Sequence, residues 1–196
     1  MNKIERANKA QQHTQEMQQK YSMEISKSIA GSKIYTELPE IKTQNITTQV
    51  DIVAMDTVSA LYMYKTAYKH IALLNFASYT HAGGGYTLGS IAQEECLCQE
   101  SNLYNILNAF EAEYYQKNRT NMYDGLYSNK GIYIPDVVFC KDGCTEAVRA
   151  DVITVAAPNK NRAIGKVTNE EQRKALRSRI DFLLGMGATN EVELLI

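Results

Sequence analysis

Three shortages narrow what this chain of 196 residues can do. No apolar run approaches the roughly 20 residues that a membrane-crossing helix needs, and the opening stretch MNKIERANKAQQHTQEMQQK is too polar for a secretory signal. The sequence therefore predicts a cytoplasmic protein without membrane attachment. Positive charge is in no surplus either: the formal net charge is -1, which argues against broad binding to nucleic-acid backbones while allowing a local anion site. Metal-ligating side chains are not grouped. His13, His70 and His81 are dispersed, and of the four cysteines Cys96 and Cys98 lie two apart on a helix pattern, so that they point to nearly opposite sides. Free thiols are expected rather than a zinc set, with no metal and no cofactor.

What remains suffices for a real core. The hydrophobic content is 44%, the length is that of one domain, and no repeat or low-complexity segment interrupts it. Residues 1–32 carry a modest apolar stripe, with Ile4, Ala7, Thr14, Met17, Tyr21 and Ile25 at helical intervals up to Gly31, and are expected to pack on the domain as one helical segment. Ile34 to Thr36 and Ile46 to Ala54 have the β-branched content of strands. Asp56 is placed to N-cap a helix running to Lys69, which feeds a buried strand at Ile71. Farther on, Pro135 argues against an interior position for the strand Gly131 to Ile134 and for an edge strand or a strand end leading to Val137, Val138 and Phe139. Val152 to Val155 reads as another buried strand, Asn169 opens a helix, and Glu191 to Ile196 is a final strand. Strands alternating with helices predict a layered α/β domain, with ligands at the carboxyl ends of its strands.

The organising stretch is HIALLNFASYTHAGGGYTLGSIAQEECLCQESNLY, from His70 to Tyr104. Ile71 to Leu74 gives way at Asn75 to a loop with three consecutive glycines, Gly83, Gly84 and Gly85. Ser90 and Gln93 are spaced as a capping box for a helix continuing through Leu97, Leu103, Leu107 and Phe110 to about Arg119. Glycines let backbone approach a ligand, and loop amides attract anions, so a phosphate is the expected guest. Yet no Lys-Ser or Lys-Thr follows and the GxGxxG spacing is missing. Glu94 and Glu95 come instead. Carboxylates repel a phosphate but suit the neutral part of a larger ligand, which points to a nucleotide sugar. Adjacent helix positions differ by about 100°, so the two are expected to point apart and to hold separate roles. Acids in a first turn also have an ordinary reading, favourable interaction with the helix dipole. Most of the thirteen tyrosines read as half-buried packing residues, with Tyr86, beside the glycines, the ring expected to be free to stack on a base.

GGG, seven residues, then QEE, after Asn75-Phe76-Ala77-Ser78, resembles the signature of microbial-type poly(ADP-ribose) glycohydrolases, which have a macrodomain fold. Leu126 to Val137 and Asp151 to Asn159 resemble further family segments in the same order, while His81-Ala82 stands where the family usually has Asn-Pro. The resemblance implies a macrodomain-like mixed sheet flanked by helices over residues 33–196, with residues 1–32 as an N-terminal helical extension. It also implies that the family pattern continues past the position of Ile196 into a second glycine-rich loop, so that the chain is C-terminally incomplete on that pattern. The implied activity is hydrolysis of ribose–ribose bonds in poly(ADP-ribose) carried on modified proteins, with release of ADP-ribose. Glu95 is then the general acid, Glu94 holds ribose hydroxyls, Asn75 and Ser78 contact ribose, and Gly83, Gly84 and Gly85 hold the diphosphate. Tyr86 and Gln93 complete the substrate-binding set. An ADP-ribose-binding module without turnover and an inactive structural fragment are the alternatives.

Overall fold

The computed structural model of the chain describes residues 1–40 and 48–196. In order along the chain lie α1 (Lys3–Lys20), α2 (Ser22–Gly31), β1 (Lys33–Tyr35), α3 (Thr57–Tyr64), β2 (Ile71–Phe76), α4 (Gln93–Gln99), α5 (Leu103–Ala109) and α6 (Gln116–Arg119). Then follow β3 (Gly131–Phe139), β4 (Val148–Val155), α7 (Lys160–Ala163), α8 (Asn169–Thr189) and β5 (Leu194–Leu195). The strands form one mixed sheet in the order β1-β3-β4-β2-β5. β3 runs antiparallel to β1 and β4, whereas β2 runs parallel to β4 and β5. This is the helix-flanked α/β architecture that the sequence predicts.

β2, IALLNF, is almost continuously apolar because helices cover both faces of the sheet. On one side Leu61, Leu73, Leu97, Ile106 and Val152 share a core with Ala10 and Ile25 of the N-terminal helices. On the other, Phe182 and Met186 of α8 close over Ala72, Tyr133, Ile153 and Val155. Among the described residues, no helix is long and apolar enough to cross a membrane.

Several elements differ from the sequence reading. The N-terminal segment is two helices broken at Tyr21, and its stripe is narrower than expected: Ala10, Met17 and Ile25 are buried, but Ile4 is exposed. The α3 helix stops at Tyr64. Thr48 to Ala54 form no strand, and Ile46 and Thr47 lie outside the described residues. β3 is an interior strand. It accepts Pro135 because its register shifts between Ile134 and Val137, where Asp136 takes φ 55°, and because β1 pairs only with Gly131 to Tyr133. The helix expected to run on from Gln93 is broken at Glu100 to Asn102. Buried Asn102 accepts from the Val138 N–H through Oδ1 at 3.0 Å and donates its own N–H to the Val138 carbonyl at 3.1 Å, tying the break to β3. The last strand shrinks to Leu194–Leu195, although Ile196 continues the ladder with Ala72 and Leu74.

Candidate active site

The site is built where β2 ends. Asn75 is fully buried and donates through Nδ2 to Glu94 Oε1 at 3.2 Å and to Thr154 Oγ1 at 3.3 Å. Two residues past the strand, the Ser78 N–H donates to Glu94 Oε2 at 2.7 Å, and Ser78 Oγ accepts from the amides of Thr80 and His81. The strand end and the turn after it thus hold both oxygens of one carboxylate.

Ser90 is not the cap of α4. Ala92 precedes the helix in extended conformation, and Gln93 is turned the other way, with Oε1 accepting from the Phe76 N–H at 2.9 Å and Nε2 donating to the Leu74 carbonyl at 2.7 Å. Gln93 therefore fixes α4 against the end of β2 as another strand residue would, and its amide is engaged within the protein. This role had no sequence signal beyond the position of the residue.

The two glutamates converge, contrary to the helical-wheel expectation. A Cβ on Gly84 would lie 2.8 Å from Glu95 Oε1 and 2.9 Å from Glu94 Oε2. Both sit in the first turn of α4, where long side chains can bend back over the helix end to one point. Gly84 leaves that point open, and its φ of 60° is a conformation that side chains disfavour. The Gly85 N–H donates to Glu95 Oε1 at 2.8 Å, the Gly84 N–H to the His81 carbonyl at 3.1 Å, and a backbone bond from Gly83 acts on Glu94. The expected phosphate cradle is thus in this structure a carboxylate cradle, its amides directed at protein acceptors.

Burial, helped by the charge of Glu95, pushes the Glu94 carboxyl up to about 7 against the lowering bonds from Ser78, Asn75 and Gly83. None of the ion pairs among the described residues involves Glu94 or Glu95. Glu95 is 7% exposed, and its Oε2 has no hydrogen-bond partner among the described residues. Asn75 Oδ1 is buried without a donor among the described residues.

Tyr86 does not offer a free ring. It is 1% exposed, and its hydroxyl donates to the Ala10 carbonyl of α1 at 3.1 Å. α1 is fastened to the same loop by Arg6 Nε, which donates to the Gly89 carbonyl at 2.8 Å. His81 is exposed, as a loop-surface residue. Cys96 and Cys98 fall on opposite sides of α4, one exposed and one buried.

Residues missed by the sequence reading frame the other side of the loop. Tyr79, next to Ser78, is buried and stacks on half-buried Tyr127, with ring centroids 4.2 Å apart and planes 7° from parallel. Arg179 of α8, 2% exposed, bonds the Ala156 and Leu126 carbonyls and Asn129 Oδ1, which anchors that segment to the end of β4. Phe76, at the end of β2, is 64% exposed. Alternation along β2 could have placed Phe76 outside the core, but nothing local marks the tyrosine pair or Arg179.

Paired buried carboxylates at a strand end, one carrying an oxygen without a partner among the described residues, are suited to acid–base chemistry on a glycosidic bond. Comparison with known proteins agrees. The family described as microbial-type PARG, catalytic domain, matches residues 2–142. The structure of poly(ADP-ribose) glycohydrolase (PARG) from Thermomonospora curvata is similar with a TM-score of 0.86 and 26% identity, over 98% of this chain and 78% of that one. The same enzyme bound to the inhibitor ADP-HPD gives 0.82 and 26%, over 98% and 77%. The enzyme from Deinococcus radiodurans in complex with ADP-ribose gives 0.76 and 29%, over 87% and 74%. A search of the curated proteins by sequence found no match. With the family model matched over residues 2–142, most of this chain, the chain belongs to the microbial-type poly(ADP-ribose) glycohydrolase catalytic-domain family.

Proposed function

We propose that the chain hydrolyses the ribose–ribose O-glycosidic bonds of poly(ADP-ribose) and releases ADP-ribose, with Glu95 as general acid and base. The observation that carries the assignment is the asymmetry of the pair. Glu94 has both oxygens held by Asn75 and Ser78, whereas Glu95 is held through one oxygen and presents the other. In this reading Glu95 Oε2 delivers its proton to the departing ribose oxygen as the C–O bond breaks. The anomeric carbon gains oxocarbenium character, and the ionised carboxylate then removes a proton from the attacking water, which restores the acid. One water is consumed, and each new end is a hydroxyl.

Glu94, Asn75 and Ser78 orient the ribose. Glu94, held up at about 7, is protonated in part at neutral pH and can donate to a ribose oxygen as well as accept. Gly83, Gly84 and Gly85 keep the space beside the carboxylates free of side chains, and Gln93 acts by position. Polymer on modified proteins in the cytoplasm is the proposed substrate. The test has two arms. Titration with ADP-ribose shows whether the cleft binds, and release of ADP-ribose from polymer shows whether it turns over. Binding without release would assign a recognition module, and neither would reject the reading.

A further inference from the structure

A second surface beyond the Tyr79–Tyr127 stack has the features of an anion site. The loop before β3 carries Tyr123 at φ 49° and Asp124 at φ 53°, then Gly125, and with Arg162 and Lys166 it walls a polar pocket of about 380 Å³. The loop is held in that shape from outside: the Asn159 N–H donates to the Gly125 carbonyl at 2.7 Å, and Arg179 holds the Leu126 carbonyl at 3.3 Å. The connection to the cleft is short. Glu94 is bonded to Ser78, Tyr79 follows it, and Tyr79 stacks on Tyr127, two residues from Gly125.

The charge of this surface is free for a ligand. Arg162 forms no ion pair among the described residues, and Lys166 has only an exposed contact with Asp124 at 3.7 Å, a type of pair worth little in water. In the larger cavity behind Gln93, about 470 Å³, Lys141 is neutralised by Asp56 and Glu100, and Lys9 faces Asp142. The segment from Asn159 to Arg179 holds seven cations against two acids in a chain whose total is -1. Such concentration beside a cleft draws anions toward it, and an arginine fork fits a phosphate through two donors.

We propose that the Arg162–Lys166 pocket binds the diphosphate of the ADP-ribose unit on the leaving-group side of the scissile bond. This rests on the reading of the chain as a poly(ADP-ribose) hydrolase. The carboxylate pair supplies no positive charge to a neighbouring diphosphate, whereas this pocket offers Arg162, which has no ion pair among the described residues, and Lys166, whose one acidic contact is exposed. The chain then binds a two-unit oligomer more tightly than a single ADP-ribose unit.

The experiment uses the Glu95→Gln chain, which keeps ligands intact, and compares its affinity for ADP-ribose and for the two-unit oligomer with and without Arg162→Ser/Lys166→Ser. The two-unit oligomer should bind about tenfold tighter than ADP-ribose at low salt. The double substitution should remove most of that excess, change ADP-ribose affinity by less than about twofold, and lower the salt slope of oligomer binding by about 1. An unchanged oligomer affinity, or equal losses for both ligands, overturns the subsite. Competition by an RNA of matching charge as strong as by the oligomer also overturns it, because the surface is then a general polyanion patch. Polymer release by the unmodified chain is scored separately: lost oligomer preference supports the subsite even if release fails, and release with an intact preference in the double variant rejects the subsite alone.

Discussion

The two ends of β2 each carry buried acid, arranged in opposite ways. At the amino end Asp151, 8% exposed, is saturated: the Tyr133 hydroxyl donates to it, the Asp136 N–H donates to Oδ1 at 2.9 Å, and His70 Nε2 lies 2.6 Å from Oδ2. At the carboxyl end Glu95 Oε2 and Asn75 Oδ1 have no partner among the described residues. A saturated acid fixes structure; here it pins the β3 bulge at Asp136 to β4. An acid with an open oxygen costs stability and retains reactivity, which is the pattern of a functional site.

The contrast predicts that substitutions at the two ends separate activity from stability. The largest effect belongs to Glu95→Gln, which should lower polymer hydrolysis by about 10²–10⁴-fold while leaving the melting temperature and most ADP-ribose affinity intact. Near-normal release in a single-turnover assay would remove Glu95 from the chemistry. Asp151→Ala should do the reverse. It leaves the Asp136 amide and Tyr133 hydroxyl without their acceptor, which costs about 3 kcal/mol, or about 6–12 °C in melting temperature at this chain length. Turnover per folded molecule should stay within about twofold, and a large fall in kcat would erase the distinction between the ends.

Glu94 gives a pH-dependent test. Its carboxyl rises from 4.5 to about 7 on folding, so the folded chain holds more protons between those values and stability falls as pH rises through that window. The loss amounts to about 3 kcal/mol above pH 7 and is absent below about pH 4. Glu94→Gln should therefore stabilise the chain at pH 8 and have little effect at pH 4, as read by denaturant unfolding at both values. An equal shift at the two pH values would refute burial as the cause. The smallest effect is expected for Gln93→Leu. Losing its bonds to Phe76 and Leu74 should cost about 1–2 kcal/mol and lower kcat roughly tenfold, with KM little changed. A stability loss with kcat intact would make Gln93 a purely structural link.

Much of the carboxyl end was legible in the sequence, because a buried strand, three glycines and an acidic first turn are local signals. So was the Asp56 cap, whose side chain accepts from the Ser59 N–H. The geometry between segments was not. The convergence of Glu94 and Glu95 depends on side chains folding over a helix end at Gly84, and a wheel projection treats them as spokes. The interior place of β3 depends on a bulge stabilised by Asp151, fifteen positions away from Asp136. Tyr86 was misread because the partner that buries it, Ala10, lies 76 residues earlier. The break between α4 and α5 was hidden for the same reason: Asn102 is a poor helix residue whose purpose is visible only with Val138 beside it.

The fastening of α1 to the glycine loop has a kinetic consequence. Ala10 leaves the ribosome long before Tyr86, and β2 must wait for β4 to be made before Asn75 can meet Thr154, 79 positions later. Contacts this distant in sequence slow folding, since long loops must close before the contacts that stabilise them form. The Glu94–Glu95 pair is therefore among the last features to take shape, and a nascent chain halted before Val155 has its glutamates but not the complete β4 that β2 pairs with.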